Sequence, residues 1–226
     1  MDDSLKIALA LGYGYLIGSV PAAYLVSRLV RGIDIRRVGS GNVGASNVWY
    51  NVGKRWAFPI GAFDLFVQGL GPPLFARALG LGIEWQAAAG LLAVIGHNWP
   101  VFLRFKGGRG LTPAVGVMLA LARLELAVFI LVGVAGWRLT KGAPFWVLVA
   151  FGLLVPLSLY WERPGAIVLL MGGLLLVTVI KRLTSNTLRG KGVRLRELIV
   201  NRLLHDRDVA DREAWLGRGA PPAKQG

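Results

Sequence analysis

The stretch LTPAVGVMLALARLELAVFILVGVAGWR, residues 111–138, decides how the chain is threaded. It is apolar except at Arg123 and Glu125, which divide it into two short halves, and at Arg138, which closes it. Read as one helix it brings the chain to six spans; read as two, to seven. Charge chooses between them. With seven spans and the N-terminus outside, Lys6, Arg77, Arg123 and Arg163 fall outside and every other Lys and Arg falls inside, as expected when bases are retained on the cytoplasmic face. With six, the basic tail would lie opposite both glycine-rich loops. The expected fold is therefore an all-α integral membrane protein of about seven transmembrane helices, N-terminus outside. A half such as 111–122 reaches only about 18 Å at 1.5 Å per residue, short of the roughly 30 Å hydrocarbon core. One or both halves are expected to be re-entrant or to thin the bilayer locally.

Composition agrees with a membrane chain. Of 226 residues, 54% are hydrophobic and mean hydropathy is +0.55. The formal charge of +14 would suit nucleic acid, but the bases sit between apolar runs, so a cytoplasmic membrane face is the better partner and none is expected in nucleic acid. There are no cysteines, which excludes disulfides, thiolate nucleophiles and Cys-held metals. No metal and no cofactor is expected. Asp2 and Asp3 precede the first apolar run, 5–27, so it reads as a retained span rather than a cleaved signal, and Gly14 and Gly18 give it a small-residue packing face. Spans are expected at 56–79, interrupted by Pro59 and Pro72-Pro73 and carrying Asp64 and Gln68, at 85–102, at 143–160 and at 164–180. Asp64 is either functional or paired inside the bundle. The membrane domain is placed at 1–183 and a basic cytoplasmic tail at 184–226. Within the tail, 193–205 sets Leu195, Leu198, Ile199 and Leu203 on one helical face, either an interfacial helix or one packed on the protein itself. From Asp206 the chain is polar, then rich in Gly and Pro, and is expected to be mobile.

Two polar loops fall on the same cytoplasmic side. The first is Gly39-Ser40-Gly41-Asn42-Val43-Gly44-Ala45-Ser46-Asn47, flanked by Arg36, Arg37, Lys54 and Arg55. Small residues let successive backbone N–H groups approach one oxyanion, with Ser and Asn adding donors. The second is Arg104-Phe105-Lys106-Gly107-Gly108-Arg109-Gly110, where a Lys and an Arg bracket a Gly pair. Lys as a point charge and Arg as a planar fork suit a phosphate dianion. Lys106 precedes its glycines and no GK[ST] follows, so this is not a Walker A loop. His97 is either a general base or a hydrogen-bonded structural residue at a helix end.

These residues resemble the bacterial integral-membrane acyl-phosphate glycerol-3-phosphate acyltransferases. The likeness begins at Gly18-Ser19-Val20-Pro21, runs through Arg31-Gly32-Ile33-Asp34-Ile35-Arg36 and Gly39–Asn47, and resumes from Gly96-His97-Asn98-Trp99-Pro100 to Gly110. The second half agrees in hydropathy. The resemblance implies seven helices in the inner membrane and an active site at the cytoplasmic face. It implies transfer of a fatty acyl group from acyl phosphate to the 1-hydroxyl of glycerol 3-phosphate, giving lysophosphatidic acid. Ser40, Lys106 and Arg109 are then the expected catalytic residues. Gly39, Gly41, Asn42, Gly44, Asn47, Gly107, Gly108 and Gly110 would cradle phosphate, with His97, Lys181 and Arg182 in support. Acyl phosphate is already activated, so no Ser or Cys nucleophile is required, and the hydroxyl proton can pass to the departing phosphate.

The chain departs from the family pattern at four places. Tyr50 replaces an Arg, Pro144 a Ser, and Lys181 and Thr184 stand where a His and an Asn are expected, with Asn186 nearby but out of step. Two smaller changes put Ser46 for Thr and Arg109 for Lys. Three readings follow: an active acyltransferase with altered acceptor residues; a relative that binds lipid phosphates as a partner subunit or uses another acceptor; and a small transporter, which lacks the acidic relays or symmetric broken helices that would support it.

Overall fold

The computed structural model describes residues 1–185 and 194–208, and among them every regular element is helical. Helix α1 (Asp3–Gly18) and α2 (Ala22–Arg31) come from the first apolar run, which breaks at Ser19-Val20-Pro21 because Pro21 has no N–H to continue the ladder. A short α3 (Ala45–Asn51) follows the first glycine loop. Then α4 (Lys54–Ala62) passes through a π-helical segment (Phe63–Leu70) into α5 (Gly71–Ala78). The expected interruption at Pro72-Pro73 is thus absorbed: the widened turns carry the chain past two residues that lack N–H donors, and both prolines sit in the first turn of α5.

The remaining helices are α6 (Ile83–Asn98), α7 (Leu111–Leu121), α8 (Arg123–Thr140), α9 (Ala143–Tyr160), α10 (Gly165–Leu183) and α11 (Leu195–His205). The 111–138 run is two helices. The joint is Ala122, at φ −144° and ψ 59°, immediately before Arg123. Glu125 needs that joint less for water than for a partner: it is fully buried and accepts from Arg163 Nε at 2.8 Å and from Ser158 Oγ at 3.4 Å. Among the described residues, three helical stretches are long and apolar enough to cross a bilayer, namely Asp3–Arg31, Ala143–Tyr160 and Gly165–Leu183.

Packing follows two regimes. The main core joins α6 to α10 through large side chains, with Met118, Phe151, Leu170, Met171 and Leu174 all buried. The α1–α6 contact instead uses almost no side chain. A Cβ at Gly18 would lie 2.1 Å from the Ala93 carbonyl oxygen, and one at Gly14 2.5 Å from that of Ala89. The expected small-residue face of α1 is therefore the one that meets α6. Where apolar side chains gain little by leaving an apolar solvent, such close backbone approach supplies the dispersion contacts. A smaller core of Ile35, Val43, Val48, Val52 and Leu103 seats the first loop against the chain that leads into the second.

The tail helix α11 packs on the protein itself. Leu198 is buried, while Leu195 is 64% exposed and Ile199 40%. Asn186 and the Gly- and Pro-rich end of the tail lie outside the described residues.

Gly18→Ala is expected to lower stability by about 1–3 kcal/mol, because the added methyl meets backbone that has nowhere to move. Gly12→Ala, where no atom lies within 4 Å of the new methyl, is the neutral control. Thermal unfolding of the two variants in detergent checks this, and equal midpoints would refute it.

Candidate active site

The ends of several elements meet around one cavity of about 440 Å³. The first loop contributes Ser40, Asn42, Gly44 and Asn47, and the π segment contributes Asp64. The end of α6 contributes His97, the start of α7 and the residues before it Arg109 to Thr112, the end of α8 Trp137, the turn into α9 Lys141 to Pro144, and the end of α10 Lys181 and Arg182. His205, which ends α11, and Asp206 and Arg207 after it complete the wall.

Each loop is held from within. Arg36 donates to both oxygens of Asp34, from Nε at 2.9 Å and Nη2 at 2.7 Å, closing a 3₁₀ turn ahead of the first loop. That contact holds the Asp34 carboxyl below its ordinary range. Asn47 is 2% exposed, and its amide nitrogen donates to the carbonyls of Ile35, Val38 and Asn42 at 3.0–3.1 Å. Its two hydrogens are therefore engaged in shaping the loop rather than turned toward a ligand. Gly39 sits at φ 57°, where a side chain would be strained and would strike Asn47 and Asn51. Gly41 N–H donates to the Val38 carbonyl at 3.0 Å. Ser40 is 7% exposed; its Oγ accepts from Asn42 N–H at 3.3 Å, which leaves its own hydrogen to donate into the cavity. Asn42 Oδ1 is buried and forms no hydrogen bond with any described residue.

In the second loop, Gly107 N–H donates to the Asn98 carbonyl at 3.2 Å and Gly108 N–H to that of His97 at 2.9 Å. These glycines fold the loop back on the end of α6, so their amides are spent there. A side chain at Gly108 would collide with the His97 ring. Neither Gly107, Gly108, Gly39 nor Gly41 lines the cavity, whereas Gly44 and Gly110 do. The first turn of α7, starting after Gly110, opens onto the cavity, where unpaired N–H groups favour an anion. Lys106 is exposed and stands outside the cavity wall; Arg109 forms part of it.

The cationic end of α10 turns inward. Lys181 is 2% exposed, donates from Nζ to the Asn98 carbonyl at 2.6 Å and lies over the Trp99 ring. Arg182 donates from Nη2 to the Pro144 carbonyl at 2.7 Å and from Nη1 to that of Leu203. Three of the four departures noted in the sequence, Tyr50, Pro144 and Lys181, are thus in the wall; Thr184 instead donates to the Ile180 carbonyl at 2.8 Å.

Sequence reasoning missed Asp206. Its carboxylate pairs with Arg109 and reaches within 3.8 Å of Arg182 Nε, so an anion already stands between two of the site's cations. Nothing local signalled this, because Asp206 is about a hundred residues from Arg109 in the chain. Asp64 was noted but left open between two roles; it is 4% exposed, faces the cavity and forms no ion pair with any described residue.

Residues 8–190 match the family model described as glycerol-3-phosphate acyltransferase. The chain belongs to that family. A glycerol-3-phosphate acyltransferase of Dehalococcoides mccartyi is 39% identical over 220 residues, covering 94% of each chain. One from Deinococcus radiodurans is 42% identical over 171 residues, 74% of this chain and 85% of its own. Among solved structures, the glycerol 3-phosphate form of an integral membrane glycerol 3-phosphate acyltransferase superposes with a TM-score of 0.71 at 28% identity, over 78% of this chain and 88% of that one. A lysophosphatidic acid form gives 0.69 at 26% identity, over 78% and 87%. The protein is an integral membrane acyltransferase of this family, and its cavity is the candidate active site.

Asp206→Asn is expected to tighten binding of inorganic phosphate about 10-fold by removing a tethered competitor from the competent site. Titration calorimetry of both proteins measures it, and an unchanged Kd would sink the idea.

Proposed function

We propose that this protein transfers a fatty acyl group from acyl phosphate to the 1-hydroxyl of glycerol 3-phosphate, forming lysophosphatidic acid for phospholipid synthesis. The observation that carries this is a cavity lined both by Arg109, Lys181 and Arg182 and by Leu111, Trp137, Pro144 and Val147. Such a site offers charge for phosphate beside an apolar flank for an acyl chain. Relatives bear the name of this reaction, and two structural neighbours were solved as forms with glycerol 3-phosphate and with lysophosphatidic acid.

The chemistry needs no covalent intermediate. The acceptor hydroxyl attacks the carbonyl carbon of the acyl phosphate; the tetrahedral oxyanion collapses, the carbon–oxygen bond to phosphate breaks, and the hydroxyl proton ends on the released phosphate. Ser40 is the hydroxyl donor toward the phosphate or the oxyanion, and Arg109 neutralises the departing dianion. Lys106, at the rim, draws the anion in. Asn42 and Gly44 complete the phosphate cradle, whose shape Gly39, Gly41, Asn47, Gly107 and Gly108 maintain from behind, and Lys181, at the position of the family's His, forms a basic pocket with Arg182. The reading includes seven spans with the N-terminus outside, the site at the cytoplasmic face of the inner membrane, and the tail from 184 on that same face.

In detergent with palmitoyl phosphate and radiolabelled glycerol 3-phosphate, the purified protein is expected to form lysophosphatidic acid. Arg109→Ala should lower kcat about 100-fold or more, whereas Lys106→Ala should act mainly on kcat/KM at low salt. Phosphate release with no acylated glycerol 3-phosphate would overturn the assignment of the acceptor.

A further inference from the structure

Two residues, Asp64 and His97, line both the cavity and a second, smaller one of about 10 Å³ at the break between α1 and α2. His97 has a partner, for its Nδ1 lies 2.8 Å from Gln68 Oε1. The Asp64 carboxyl forms no hydrogen bond or ion pair with any described residue, although it is buried among helices. One oxygen of Glu125 is enclosed without a partner, but neither oxygen of Asp64 is. They face open volume, and the volume that Asp64 lines is that of the two cavities. A carboxyl held in such surroundings with nothing to satisfy it is destabilising, so its partner is sought in a ligand.

The π segment holds Asp64 in place. Four residues on, Gln68 is fully buried, and its amide nitrogen faces the carbonyls of Val20 at 2.7 Å, Gly18 at 2.9 Å and Ile17 at 3.1 Å. With the nitrogen committed to α1 and the oxygen to His97, the segment cannot turn to offer Asp64 another partner.

The charges of the cavity fall into two groups. Arg109 pairs with Asp206, whose carboxylate also reaches Arg182, and Lys181 stands close enough to feel both Arg109 and Asp206. No described charge bears on Asp64. The cavity therefore offers a cluster of cations and, apart from it, a carboxyl that lacks a partner. Glycerol 3-phosphate is divided in the same way, with a dianion at C3 and hydroxyls at C1 and C2. Its phosphate belongs with the cations, whereas a carboxyl oxygen suits a hydroxyl donor. In the reaction written above, the C1 hydroxyl sends its proton to the departing phosphate, so that hydrogen is already directed. The C2 hydroxyl is the donor that remains.

We infer that Asp64 determines acceptor specificity: its carboxyl accepts a hydrogen bond from the C2 hydroxyl of glycerol 3-phosphate. An acceptor that lacks this hydroxyl leaves the buried carboxyl unmet and is disfavoured. The inference rests on the acyl transfer proposed above. No bond at C2 forms or breaks, and the proton stays on the C2 oxygen. Held at two points, by its phosphate and by C2, the acceptor presents its C1 oxygen in one orientation.

The probe is 3-hydroxypropyl phosphate, which keeps the phosphate and the attacking hydroxyl of glycerol 3-phosphate and lacks the hydroxyl at C2. With palmitoyl phosphate as donor, the full-length protein in detergent is expected to show a kcat/KM at least about 10-fold higher for glycerol 3-phosphate than for the probe. In Asp64→Ala that ratio should fall to within about threefold of one. Asp64→Asn, which keeps an acceptor oxygen, should retain most of the preference. A residue with a structural role alone would lower both acceptors together and keep the ratio, and that result in Asp64→Ala would overturn the inference. So would a wild-type ratio near one. If Asp64→Ala does not fold, Asp64→Leu, an apolar side chain of similar size, reads the same ratio. Should the wild-type protein acylate no acceptor, the proposed function falls, and calorimetric titration of the two phosphates onto the same proteins tests the recognition separately. A preference for glycerol 3-phosphate that is lost with Asp64 supports it, and equal binding of the two overturns it.

Discussion

A helix that breaks among apolar neighbours strands carbonyl oxygens that water cannot reach, and the side chains that satisfy them locate this protein's site. Three breaks matter. Gln68 covers the carbonyls left between α1 and α2, Lys181 reaches the Asn98 carbonyl at the end of α6, and Asn47 gathers the carbonyls of Ile35, Val38 and Asn42 around the first loop. Each of these is nearly or fully buried. In such surroundings an unmet backbone group costs several kcal/mol, so every break must recruit a polar side chain, and those side chains are then already at hand for chemistry. The polar interior of the site grows out of the same demand that shapes the backbone.

The glycines serve the same constraint in another way. Gly14 and Gly18 let α6 close on α1, and a Cβ at Gly116 would come within 2.1 Å of the Leu65 carbonyl, so α7 crosses the π segment at backbone distance. Helices held this closely cannot shift without losing contact along their length, which keeps Gln68 and His97 in register. The second loop repeats the device: Gly107 and Gly108 fold against the end of α6 and place Arg109 in the cavity wall while their own amides are satisfied.

Much of this was readable from the residues. The break at Arg123, the two long C-terminal helices, the packing face of α1 and the meeting of the two loops all follow from local features: a charge in an apolar run, span length, glycine spacing and basic flanks. What escaped were features set by distant parts of the chain. Nothing in Phe63–Leu70 announces a π segment, since Pro72-Pro73 reads locally as an interruption. The glycine-rich loops suggested amides turned toward a ligand, but carbonyls from Val38, His97 and Asn98 compete for them, and which partner wins depends on how the loop lies on α6. The role of Glu125 depended on Arg163 and Ser158, which sequence position alone does not bring near it.

The placement of Asp206 has one more implication, for selectivity. A cationic cavity would otherwise attract any passing anion, from a lipid headgroup to a nucleotide. A carboxylate tethered to the same chain competes at an effective concentration on the order of millimolar, whatever the surroundings contain. A visitor that offers one weak charge gains little by displacing it, whereas a dianion that also fills the space beside Ser40 gains at several points. The tail thereby sets a threshold of entry, and discrimination comes from the resident competitor as much as from the fit of the guest.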